Sequence, residues 1–117
     1  MNTFYKDVML LELQNMIARA HGVSAGMLSN VIMASEDTIK KHGDALIQLA
    51  MEGLLNAYDT ACQFYFDDKV DKAAFDKINK HAILQLFAED SVKKQIKKGS
   101  YAMLLKWRNK VCRTKTK

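Results

Sequence analysis

The chain has 117 residues, of which 49% are hydrophobic and 26% charged. That suffices for one domain whose modest core needs neither disulfides nor a metal, and it excludes wholesale disorder. The formal net charge of +5 is unevenly placed: residues 1–92 hold all thirteen acidic side chains against eight basic ones, a net of −5, while residues 93–117 hold ten Lys or Arg and no acid.

An acidic body with a basic end implies an anionic partner: nucleic acid, a membrane surface or an acidic protein face. Proline is absent, so the strongest helix breaker is missing, and good helix formers abound. The expectation is an all-α fold, a compact bundle of five or six helices around one long central helix. Residues 1–117 form one domain, with a basic region over 93–117 and a frayed tail at 113–117.

In chain order, Phe4, Val8, Leu11, Leu13, Met16, Ile17 and Ala20 recur at helical spacing and predict a first helix over 3–20. Gly22 is placed to end it in a left-handed cap. Ser24 caps a short second helix carrying Met27, Leu28, Val31 and Ile32. Ser35, followed by Glu36 and Asp37, starts a third. This one runs to Phe66, bends near Gly43 and is the longest and most central. Its small residues Ala50, Gly53, Ala57 and Ala61 let another helix approach closely. Residues 67–71 are a loop, and Asp71 caps a fourth helix over 72–88. Residues 89–98 make a short charged helix ended by Gly99. Ser100 caps the last helix, which carries Tyr101, Leu104, Leu105, Val111 and Cys112.

Residues 14–32 read QNMIARAHGVSAGMLSNVI. Ala18 precedes Gly22 by four positions, Val23 and Ser24 follow the glycine, and Leu28 and Val31 hold the next helix down. In this, residues 14–33 resemble the helix-turn-helix of bacterial and phage DNA-binding regulators. The resemblance implies that Ala18 is buried at the helix junction, that Gly22 has positive φ, and that Ser24, Ala25, Gly26 and Asn30 face the major groove. Asn can read adenine and Ser can touch a base or phosphate, while Ala and Gly read almost nothing. A plain helical hairpin with glycine in its turn accounts for the same residues.

In the basic end, Lys93, Lys94, Lys97 and Lys98 fall on one helical face, followed by Lys106, Trp107, Arg108 and Lys110. Cations beside Trp107 and Tyr101 suit a phosphate backbone with some base stacking; the alternative is a solvated face with Trp107 in the core. Asp67, Asp68, Asp71 and Asp76 lack the glycine and closing Glu of a calcium loop. His21, His42 and His81 have no zinc spacing. No nucleophile motif or phosphate loop occurs. The sequence thus implies no metal, no cofactor and no enzyme. Cys62 and Cys112 do not make a secreted disulfide framework; Cys62 reads as a buried thiol. No signal peptide or membrane-spanning run is present, so the expected compartment is the cytoplasm.

Two functions follow. The first is a small non-catalytic DNA-binding protein, a regulator or accessory factor, in which the second helix enters the major groove and the basic end holds phosphates. The second is a helical protein-interaction module, such as an adaptor, inhibitor or immunity-type protein, whose basic end docks on an acidic partner. A homodimer is compatible with either.

Overall fold

Without proline, a helix in this chain ends only where a cap or a loop signal ends it, and a glycine inside a well-buried stripe is too weak to do so. The computed structural model describes the backbone of residues 3–115 and the side chains of residues 4–112; of the tail expected to fray, 113–115 are helical, while residues 116–117 and the side chains of Arg113 and Lys115 lie outside what is described. The described residues are helical, joined by short turns. They comprise α1 (Thr3–Met33), α2 (Glu36–Thr38), a π-helical turn at Ile39–Gly43, α3 (Asp44–Phe66), α4 (Lys72–Ala88), α5 (Asp90–Lys98) and α6 (Ala102–Lys115). No described helix is long and apolar enough to cross a membrane.

The largest departure from expectation is in α1. It passes without interruption through Gly22, and no described glycine has positive φ. Two predicted helices are therefore one, and the turn at His21-Gly22 does not form. The reason is phase. Leu13, Ile17, Ser24 and Val31 lie on one side of a continuous helix, where the three apolar ones are buried and Ser24 half-buried. Mid-helix glycine costs about 1 kcal/mol relative to alanine, less than burying this stripe returns. Ala18, expected at a tight helix junction, is exposed.

The expected third helix, 36–66, is divided into α2, the π turn and α3, with Gly43 buried at the end of the turn. A Cβ on Gly43 would sit 3.4 Å from Ile39 and 3.6 Å from Val31, at ordinary van der Waals contact. With 23 residues, α3 is shorter than the 31 residues of α1. It packs on α1 and α6 and also touches α4 and α5. Leu55, Tyr58, Ala61, Cys62 and Tyr65 on α3 meet Phe75 and Ile83 of α4, and Leu104 and Trp107 of α6, in one core.

Cap chemistry accounts for most boundaries. Ser35 accepts from the Thr38 amide at 3.3 Å, and Asp71 accepts from the Ala74 amide at 2.9 Å. At the end of α3 the Lys69 amide donates to the Phe64 carbonyl and the Asp68 amide to the Tyr65 carbonyl, with Asp68 at φ 64°. This is a Schellman ending with aspartate in the position that favours glycine. The start of α6 differs from expectation: the Leu104 amide donates to Asp59 of α3 at 2.9 Å, so the cap comes from the neighbouring helix and not from Ser100.

The shape is elongated. The principal extents are 54 × 32 × 21 Å and the radius of gyration is 16.0 Å, against about 13 Å for a compact domain of this length. At 1.5 Å per residue α1 is ~46 Å long and sets the long dimension.

Candidate interaction surface

The cationic surface begins with α5. Val92, Gln95 and Ile96 turn inward and are buried, while Lys93, Lys94, Lys97 and Lys98 are all exposed. This is what an i, i+1, i+4, i+5 set gives on a helix whose opposite side is anchored. Gln95 is held in place by Gln48 of α3 and donates to the Tyr101 hydroxyl at 3.4 Å. Lys93 has Asp90 at 4.0 Å, a long and exposed ion pair that neutralises little.

Further along, the basic residues are differently employed. The Lys106 ammonium stands 4.4 Å from the centre of the Phe66 ring, the Arg108 guanidinium 5.0 Å from that of Phe87, and the Lys110 ammonium 4.6 Å from that of Tyr65. Lys110 also donates to the Tyr65 hydroxyl. These cations lie over aromatic faces and tie α6 to α3 and α4. Trp107 is 0% exposed and donates from Nε1 to Asp76 at 2.9 Å. Tyr101 is buried as well. Neither ring is available to stack on a base, so that part of the expected nucleic-acid set is corrected: Trp107 is a core residue.

The residues proposed to read bases do not form one surface. Ser24 donates to the Ala50 carbonyl of α3 at 3.0 Å, which turns it inward. Asn30 is exposed and lies about 120° around α1 from Ser24 at 100° per residue. Ala25 and Gly26 are exposed on α1.

Sequence reasoning missed two features of this region. One is an open apolar groove of about 210 Å³ between α1, α3 and α5, lined by Leu28, Ile47, Met51, Leu54 and Val92, with Ser24 at its floor. Val92 brings the inner face of α5 to the groove, and the four lysines stand on the outer face of the same helix. The other is a buried polar group joining three helices. Asp76 of α4 accepts from Trp107 and from the Tyr65 hydroxyl, the latter at 3.1 Å. Burial, followed by the Asp76 charge and its hydrogen bond, pushes the Tyr65 hydroxyl up to about 12. Burial, with smaller contributions from Asp59 and Asp76, likewise raises the Cys62 thiol to about 12. Both groups stay protonated and structural at neutral pH. Asp71 is spent on its cap and Asp76 on this network; among the described residues no group of three His, Cys, Asp or Glu is arranged to hold a metal.

No protein family model, no curated protein and no solved structure matches the chain.

Proposed function

We propose that this protein is a non-catalytic helical interaction module that docks an acidic protein surface through α5. The observation that carries the reading is a helix with four exposed lysines on its outer face, whose inner face lines an open apolar groove through Val92. Cations alone would suit any polyanion. An open apolar groove on the inner side of the same helix suits a protein partner, whose apolar side chains can fill it while carboxylates reaching round α5 meet the lysines. A phosphate backbone has nothing to place there.

The reading without catalysis rests on where the reactive groups are. Tyr65, Asp76 and Trp107 satisfy one another inside the fold, and Cys62 is buried. His21, on the open cleft between α1 and α4, shares a hydrogen bond of 2.8 Å with the Tyr58 hydroxyl.

A nucleic-acid backbone is the second reading, favoured by the same four exposed lysines. The two are separated by capture of partners from a cell lysate, with and without nuclease, using the parent chain and the variant K93Q/K94Q/K97Q/K98Q. A protein partner is expected to survive nuclease and to be lost with the variant. Loss on nuclease treatment moves the assignment to nucleic acid, whose affinity would fall steeply with salt as counterions are released. Equal capture by parent and variant contradicts both readings.

A further inference from the structure

The side of α1 turned away from α3 carries a second surface, independent of α5. Phe4, Val8, Leu11, Asn15, Ala18, Gly22, Ala25, Ser29 and Ile32 follow one another at alternating intervals of four and three residues. All nine are exposed, and none is charged. Among them Phe4 is 72%, Leu11 62% and Ile32 71% accessible. A 4–3 repeat is the seam of a helix that packs against another helix along its length. Here that seam lies opposite the buried stripe of Leu13, Ile17 and Val31.

We infer that this face pairs with the same face of a second copy of the chain, the two α1 helices running antiparallel. Residue size fixes the direction. The bulky members, Phe4, Val8 and Leu11, occupy the first half of the seam, and the small ones, Ala18, Gly22, Ala25 and Ser29, the second. An antiparallel pair whose two-fold axis passes between Asn15 and Ala18 sets Phe4 over Ser29, Val8 over Ala25 and Leu11 over Gly22 of the other copy, twice by symmetry. Bulk meets space at each layer, as close helix packing requires. A parallel pair stacks Phe4 on Phe4 and leaves Gly22 facing Gly22.

Charge points the same way. Glu12 and Arg19 flank the seam along one edge, and Asp7 along the other. The antiparallel arrangement places Glu12 beside Arg19 of the second copy, again twice. The parallel one places Asp7 beside Glu12 of the second copy, a like-charge contact.

Length is sufficient. In this register the paired layers run from Phe4 to Ser29, ~38 Å. To bury the ~600 Å² per copy found at the lower end of stable interfaces, they need a contact strip ~16 Å wide, the breadth of a helix with its side chains together with the flanking Glu12 and Arg19.

Sedimentation velocity of the full chain from about 1 to 200 µM tests the inference. The expected result is a reversible monomer–dimer equilibrium. Leu11→Lys is exposed in the monomer, so helicity should be retained, but a lysine in the seam should raise the dimer dissociation constant ~100-fold or more. Glu12→Arg should weaken the dimer several-fold and E12R/R19E should restore it, within the range of exposed ion pairs. A parallel dimer behaves oppositely, because Arg at position 12 would attract Asp7; a Glu12→Arg variant that associates more tightly therefore overturns the antiparallel assignment. A parent chain that stays monomeric throughout, or that occupies this face with a different protein or with phosphatidylcholine vesicles instead of itself, overturns self-pairing altogether.

Discussion

Replacing Asp76 with alanine removes the acceptor shared by two buried donors on different helices. Trp107 Nε1 loses its 2.9 Å partner and the Tyr65 hydroxyl its 3.1 Å one. Both rings are wholly buried, so the indole N–H loses its protein partner inside the core. Hydrogen bonds to a charged acceptor are worth ~1.5–3 kcal/mol each. Asp76 is itself half-buried, so water can enter part of the vacated space, and Tyr65 keeps its contact with Lys110. These considerations place the loss for Asp76→Ala near ~3 kcal/mol, a fall of ~12 °C in melting temperature for a domain of this size. Asp76→Asn retains one acceptor oxygen and should cost ~1–2 kcal/mol. Trp107 is the single tryptophan of the chain, so urea unfolding followed by its emission reports directly on whether α6 remains docked. An Asp76→Ala protein that unfolds within ~0.5 kcal/mol of the parent, a typical surface effect, would refute the claim that this group holds α3, α4 and α6 together.

Gly22 lies in a continuous helix with nothing within 4 Å of its absent Cβ, so Gly22→Ala should stabilise the dilute protein by ~0.5–1 kcal/mol; a turn there would instead make alanine destabilising in thermal melts. Asp68→Gly relieves the positive φ at the end of α3 and should add ~0.5–1 kcal/mol by the same assay. Gly99→Ala has the opposite sign: its Cβ would fall 2.4 Å from the buried Tyr101 ring, which predicts a loss on the order of 1–3 kcal/mol in urea unfolding. The Cys62 thiol and Tyr65 hydroxyl, both raised to about 12, are bound to their protons more tightly in the folded chain than in the unfolded one. Their contribution is therefore complete below about pH 9 and is lost as pH rises toward 12, by up to ~1.4 kcal/mol per pH unit for each group. Urea titrations at a series of pH values should show this decline, and Cys62→Ala should postpone its onset toward pH 10.

The elements that sequence reasoning located were those with local causes. Asp71 and Ser35 cap their helices through contacts three residues away, and Gly99 follows the last turn of α5, so each boundary is written next to itself. The helix through Gly22 was not legible in that way. A glycine four residues after an alanine suits both a turn and a helix interior, and what decides between them is tertiary packing, which buries Leu13, Ile17 and Val31 on a common line. The same holds for α6, whose cap is Asp59, 45 residues away. At the site, exposure of the four α5 lysines followed from their spacing. The sequence left Trp107 either beside the cations or in the core, and what decides is Asp76, 31 residues earlier on another helix. The groove beside α5 is composed from three helices and leaves no local signature.

A zero-length carbodiimide crosslinker joins lysine amines directly to carboxylates, and thereby reads out the contact on which the proposed function depends. Applied to the complex captured from nuclease-treated lysate and followed by peptide mapping, it should couple Lys93, Lys94, Lys97 or Lys98 to Asp or Glu side chains of the captured protein. Crosslinks confined to lysines elsewhere, such as Lys72, Lys77 and Lys80 of α4, would contradict docking through α5.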